Sequence, residues 1–178
     1  MKKVVLSVFV DNTSGVLNRV AGLFSRRSYN IDSLTVSETE NPKYSRMTIV
    51  VHGDDETLEQ IKKQMLKLED VKEIKELTSG ESVCRELVLV KVAVSAEKRP
   101  QITAIADSFR AKIVDVAKNS MMMELTGNET KLNAFIELLD GFEILELVRT
   151  GLTGLTRGAA DNLSLIHISE PTRPRLIS

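Results

Sequence analysis

Val4 to Val10 is a β-rich run, closed by the turn formers Asp11, Asn12, Ser14 and Gly15. Val16, Leu17, Val20, Leu23 and Phe24 then recur at the spacing of one helix face. After a break at Ser28-Tyr29-Asn30, Leu34 and Val36 alternate with Ser33, Thr35 and Ser37, which predicts a strand over Ile31–Glu38. Asn41-Pro42 is turn chemistry, and Arg46–Val51 reads as the next strand. Leu58, Ile61, Met65 and Leu68 mark a second amphipathic helix, with Asp54 and Asp55 at its start, where the helix dipole favours anions. Val71–Leu77 closes a β-α-β-β-α-β order.

Ser79-Gly80 punctuates the chain, and the order repeats. Glu86–Val94 reads as a strand whose centre carries one charge, Lys91. Pro100 suits the first turn of a helix with Ile102, Ile105, Ala106 and Phe109 on its apolar face. Ile113–Ala117 and Met121–Thr126 are expected strands, followed by a helix face of Leu132, Phe135, Ile136 and Leu139, and a last strand over Ile144–Val148. Leu58 and Leu132, at matching places in the two halves, are 74 residues apart, although residue identity between the halves is poor. Right-handed crossovers put both helices of such a unit on one face of an antiparallel sheet. The expected fold is therefore α+β: two tandem ferredoxin-like sandwiches, over residues 1–78 and 85–158, with a linker over 79–84.

A chain of 178 residues suffices for two compact domains without a metal or disulfide staple. Its net charge of −1, from 24 basic and 25 acidic side chains, argues against a nucleic-acid partner, whose phosphates need clustered cations. Cys84 is the single cysteine, so no internal disulfide can form. No apolar stretch approaches the roughly 20 residues that span a bilayer, and Met1–Val10 lacks the cleavage site of a signal peptide. The expected setting is a reducing cytoplasm. From Ser164 onward every pattern breaks: Ile166–Pro174 carries two prolines and resembles translated cloning sequence, and residues 159–178 are expected to be a disordered, non-native tail.

Catalytic groups are scarce. A nucleophilic triad needs histidine, and the chain has His52, at a strand end, and His167, in the tail. Asp54-Asp55 and Glu69-Asp70 sit at helix ends, where capping and solvation explain them. Met121, Met122 and Met123 read as strand and core filling. Gly151, Gly154 and Gly158 do not fit a dinucleotide fingerprint, and five of the seven Phe and Tyr residues fall outside strand positions that could stack RNA bases.

The constellation with chemical promise is the first strand-to-helix turn, Asp11-Asn12-Thr13-Ser14-Gly15-Val16-Leu17. Gly15 lets a group approach the backbone closely. The amides of Gly15, Val16 and Leu17 would point outward at a helix start and form an anion site. Asn12 offers an amide donor and a carbonyl acceptor, which suits a zwitterion. A plain helix cap by Asn12 or Ser14 would account for the same residues.

The run Asp11–Phe24, followed by Arg26-Arg27-Ser28-Tyr29-Asn30-Ile31-Asp32-Ser33-Leu34-Thr35-Val36, resembles the ACT domain of the acetolactate (acetohydroxyacid) synthase small-subunit family. Ser45–Ile49, Arg85-Glu86-Leu87, Ile113–Val116 and Arg149–Gly158 extend the likeness in the right order, to about residue 160. One departure is Ser28, where the family often has glycine. The resemblance implies a regulatory, non-catalytic subunit that forms a homodimer through side-by-side ACT sheets. It implies that valine or another branched-chain amino acid binds at that interface. Asn12, Gly15, Val16 and Leu17 of one chain would hold the ligand, and Asn30 and Ile31 of the neighbour would complete the site. It further implies a catalytic large-subunit partner carrying thiamine diphosphate, magnesium and FAD, which this chain activates and subjects to feedback inhibition, with no cofactor on this chain. A different class of reading is a small acyl-phosphate hydrolase on the same fold, with Arg19 or Arg26 binding phosphate.

Overall fold

The structure is a computed structural model and describes residues 1–158. The tail expected over 159–178 lies outside the described residues. The N-terminal half contains β1 (Lys2–Asp11), α1 (Val16–Arg26), β2 (Asn30–Glu38), β3 (Tyr44–Gly53), α2 (Asp55–Leu66) and β4 (Val71–Leu77). The C-terminal half contains β5 (Ser82–Ala93), a 3-10 turn at Ala96–Lys98, α3 (Arg99–Phe109), β6 (Lys112–Val116), β7 (Ser120–Gly127), α4 (Glu129–Leu138), β8 (Glu143–Arg149) and β9 (Thr153–Thr156). The first sheet has the order β2-β3-β1-β4 and the second β6-β7-β5-β8. These are the same order, and each is antiparallel between neighbours. The ferredoxin-like expectation holds for both halves.

Each helix has a local reason to begin where it does. Asp54 accepts the Thr57 amide at 2.7 Å and caps α2, and Asn128 accepts the Lys131 amide at 2.8 Å and caps α4. Pro100 occupies the first turn of α3, where a missing N–H costs nothing. α1 ends in a tight return: the Tyr29 amide reaches back to the Phe24 carbonyl at 3.0 Å with Ser28 in the left-handed region at φ 56°. Ser28 therefore holds a conformation that glycine adopts without cost.

The two cores are separate. Val4, Leu6, Val8 and Val10 of β1 meet Met47, Ile49 and Val51 of β3 beneath Val20, Leu23 and Phe24 of α1 and Ile61 and Met65 of α2. In the second half, Val88, Val90 and Val92 of β5 and Met121 and Met123 of β7 lie under Ile102 of α3 and Phe135 of α4. Met122 points the other way, as strand alternation requires. Leu68 and Leu139, expected inside helices, fall just past their ends yet still pack on the cores.

What the pattern did not anticipate is the join. The stretch 79–84, expected as a linker, yields Ser82, Val83 and Cys84 to β5, and these residues pair with β9, whose Thr153–Thr156 segment was not expected as a strand. β9 approaches β3 and β4 of the first sheet. It covers part of the face turned away from the N-terminal core, so that Ser7 and Thr48 there are buried. The fit is close at Gly154: an added Cβ would stand 2.7 Å from Cys84 Sγ, 2.9 Å from Leu77 Cδ1 and 2.9 Å from the Val83 carbonyl oxygen.

Gly154→Ala is therefore expected to destabilise the chain by about 1–3 kcal/mol, the usual cost of overpacking where backbone cannot yield. Denaturant unfolding of both proteins checks this, and an unchanged midpoint would show that the seam gives way freely.

Candidate functional site

Gly15 is the N-cap residue of α1, at φ 87° and ψ −6°, with no side-chain cap bond. Neither Asn12 nor Ser14 caps the helix, so the plain-cap explanation of this sequence fails. The Asn12 amide nitrogen instead donates to Pro42 O at 2.9 Å and Glu38 Oε2 at 3.1 Å, which ties the turn to the end of β2. This corrects the expectation that Asn12 offers both donor and acceptor: its donor is engaged within the chain, and its carbonyl oxygen is the group left to present. A second correction concerns the amides. Val16 N–H is directed to Thr13 O at 3.3 Å. The first bond of the helical ladder is Arg19 N–H to Gly15 O at 3.0 Å, so the Leu17 and Asn18 amides precede it and keep the outward aim of a helix start. Val16 is buried in the core, whereas Leu17 is 43% exposed beside the turn.

Arg19 lies over the turn. Its Nε donates to Asp70 Oδ2 at 2.5 Å, its Nη2 reaches Ser14 O at 3.4 Å, and a Cβ on Gly15 would stand 2.9 Å from its Nη1. Thr13 Oγ1 also donates to Asp70 Oδ1 at 3.4 Å, and the Asp70 carbonyl accepts the Asp11 amide at 2.9 Å. The Arg19 hydrogen bond is the main reason the Asp70 carboxyl is held below its ordinary value, with the Arg19 charge and Thr13 in support and desolvation opposing. Arg19 is thus engaged rather than free to hold phosphate. Arg26 lies in the last turn of α1, eleven residues from Gly15 and so roughly 16 Å along the axis. The acyl-phosphate reading has no anchor at this turn.

Asn30 and Ile31 are elsewhere in the chain. Asn30 stands opposite His52 and Ile31 opposite Val51, at the end of the sheet where β1 begins. Asp11 stands opposite Tyr44, at the other end of β3. Eight residues of β3 separate those ends, about 26 Å at ~3.3 Å per residue. One chain does not bring the six expected ligand residues together. Asn30 is exposed, Ile31 is half-buried against the core, and a bulge between Ile31 and Ser33 lets Asp32 pair with His52.

Two clefts run along the seam between the halves. One, of about 670 Å³, is bordered by Thr35, Arg46, Arg85, Leu87 and Leu155, and the other, of about 420 Å³, by Lys3, Asp32, Glu129 and Arg149. Neither is lined by Asn12–Leu17. Among the described residues no three His, Cys, Asp or Glu side chains gather where they could share a metal ion, and no helix is long and apolar enough to cross a membrane.

Residues 6–73 match the AHAS small subunit-like ACT domain, and residues 85–158 match the family described as small subunit of acetolactate synthase. A probable acetolactate synthase small subunit of Archaeoglobus fulgidus is 50% identical over 153 residues, covering 86% of this chain and 96% of that protein. The chain belongs to the acetolactate synthase small-subunit family. The acetolactate synthase small subunit of Haemophilus influenzae is 47% identical over 155 residues, 86% of this chain and 95% of its own length. The crystal structure of the family's Thermotoga maritima member superposes with a TM-score of 0.83 at 39% identity, covering 90% of this chain and all 100% of that one. Within the family frame, the residues not anticipated at the turn are Glu38, Asp70 and Pro42. All three are brought to Asn12 or Arg19 by tertiary pairing, and no local spacing marks them.

A depressed native carboxyl contributes stability above its unfolded pKa, and loses it as pH falls through the native value. Wild type should therefore exceed Asp70→Asn in unfolding midpoint at pH 7, and the gap should close below about pH 4. A gap that persists into acid would mean the Arg19–Asp70 pair does not hold the turn.

Proposed function

We propose that two copies of this chain pair through β2 and hold valine, or another branched-chain amino acid, between the Asn12–Leu17 turn of one copy and Asn30–Ile31 of the other. The observation that carries this reading is the bond from Asn12 to Glu38, the last residue of β2, while Asn30 is its first. The two half-sites thus sit at opposite ends of one strand. β2 is the edge of its sheet, with β3 as its partner there. A two-fold interface pairs like with like, so antiparallel pairing of two β2 edges centred on Leu34 sets Asn30 of one copy opposite Glu38 of the other. Each pair then has two composite sites.

The chemistry follows from the turn. The Leu17 and Asn18 amides and the dipole of α1 suit a carboxylate, an effect worth about 0.3–1 kcal/mol at an exposed site. The Asn12 carbonyl oxygen, and the Glu38 carboxylate beside it, suit an ammonium. Exposed Leu17 of one copy and Ile31 of the other offer apolar contact to an aliphatic side chain. One methylene in such contact discriminates by only about 1–3 kcal/mol, so leucine and isoleucine should act as weaker ligands than valine.

The chain in this reading performs no chemistry of its own. It activates the catalytic large subunit, which carries thiamine diphosphate, magnesium and FAD, and lends it feedback inhibition in branched-chain amino-acid biosynthesis. Occupancy shifts the complex by as much as the ligand's differential affinity for its two states, and a coupling of about 1–3 kcal/mol suffices for feedback.

Calorimetry should detect valine binding with one site per chain, and Gly15→Asp should abolish it. That change forces a side chain into φ 87°, within 2.9 Å of Arg19 Nη1, and places a carboxylate against the ligand's own. Undiminished binding by the variant would refute the site.

A further inference from the structure

Thr35 stands midway along β2 on the face turned away from the N-terminal core, and its Oγ1 donates to the Leu152 carbonyl at 2.9 Å. Next to it, Gly151 has φ +90°, and a Cβ there would lie 3.3 Å from Ser33 Cβ and 3.4 Å from Thr35 Cγ2. The backbone of the loop between β8 and β9 therefore rests directly on the middle of β2, at an approach and a φ that favour glycine.

Behind the loop the contacts continue without a gap. Gly151 N–H donates to Glu86 Oε2 at 3.2 Å. Glu86, 8% exposed, also receives Arg149 Nη2 at 2.8 Å on one oxygen and Nε at 3.1 Å on the other. Arg149 Nη1 reaches Asn133 Oδ1 on α4 at 2.9 Å, and Thr150 Oγ1 accepts the Leu87 amide of β5 at 3.1 Å. A buried carboxylate held by a two-pronged guanidinium strongly resists separation from it, so loop, Glu86 and Arg149 move together. The unit links the middle of β2 to β5, β8 and α4.

We propose that the Thr150–Gly151–Leu152 loop is the contact through which amino-acid occupancy of the β2 site reaches the C-terminal domain, with Thr35 as the residue that positions it. The inference rests on the amino-acid reading given above. Both half-sites touch β2, one at each end, and the loop is seated between them. Closing a ligand between two copies loads the ends of the strand, and Thr35 carries the resulting shift to Leu152 and Gly151. Residues that couple two sites without touching either ligand change the response while leaving binding nearly intact.

The test uses the complex reconstituted with the catalytic large subunit, comparing wild type, Thr35→Val, Thr35→Ala and Thr35→Ser. Val keeps the shape and loses the donor, Ala loosens the seat with less risk of strain, and Ser restores the hydroxyl; melting curves confirm folding. Valine affinity of the isolated chain by calorimetry should stay within about threefold for all four. Half-inhibition of the Val and Ala complexes should need about tenfold or more valine, inside the range of ordinary allosteric couplings, with Ser close to wild type. Equal inhibition in all four, or affinity and inhibition falling in parallel, overturns the coupling alone. A wild-type chain that binds no valine overturns the amino-acid reading itself, and the coupling with it.

Discussion

β2 has a strand neighbour on one side in its sheet, and the organisation of the chain turns on that. An edge strand presents a row of unpaired backbone groups, and proteins shield such a row or use it to pair. Here the inner face is partly covered by the core through Ile31 and Leu34, and the outer face carries the C-terminal loop at Ser33 and Thr35. The open direction is sideways. Val36, on the core-facing side of the alternation, is 41% exposed. A second copy laid antiparallel along β2 would satisfy the ladder, and such a pairing is two-fold symmetric.

The turn after β1 is held in place by the chain's own contacts. Gly15 supplies the left-handed φ, Arg19 and Asp70 clamp the turn from above, and Glu38 with Pro42 O fix the Asn12 amide from the side. Each of these contacts lies inside one chain, so the ordering entropy of the turn is met at folding rather than at binding. The neighbour's contribution, Asn30 and Ile31 in the proposed reading, arrives only with dimerisation. Ligand affinity and dimer geometry are then linked reciprocally: whatever the amino acid adds to one arrangement of the pair, that arrangement adds to the amino acid.

The regular elements were legible because each half buries one face of one sheet under two helices, which writes period two and period 3.6 into the sequence. Asp54, Pro100 and the Met121–Met123 alternation could be read directly. The join could not. Ser82–Cys84 and Thr153–Thr156 pair with each other across the chain, and the face they cover mixes Ser7, Thr35 and Thr48, whose side chains look solvated in sequence, with buried Val50 and Leu77. Polar residues that satisfy one another across a tertiary seam carry no periodic signal. The same holds at the turn: Asn12 was legible as a candidate ligand residue, yet its partners lie 26 and 30 positions away, so its commitment as donor was not.

The composition of the seam also bears on regulation. Hydrophobic faces lock two domains in one relation, whereas polar, modest contacts leave their relative position adjustable. The outer face of the first sheet mixes the small hydroxylated side chains of Ser7, Ser33, Thr35 and Thr48 with buried Val50 and Leu77, and the Lys3–Glu129 pair bridges the halves from partly exposed positions. Glu86 and Arg149, by contrast, are fixed in a largely buried pair on the C-terminal side. Stiffness is thus concentrated within the C-terminal node, which meets β2 through the Thr35 hydrogen bond and the close approach of Gly151. In the proposed coupling, the ligand shifts the placement of that node by as much as its differential affinity for the two arrangements, and by no more.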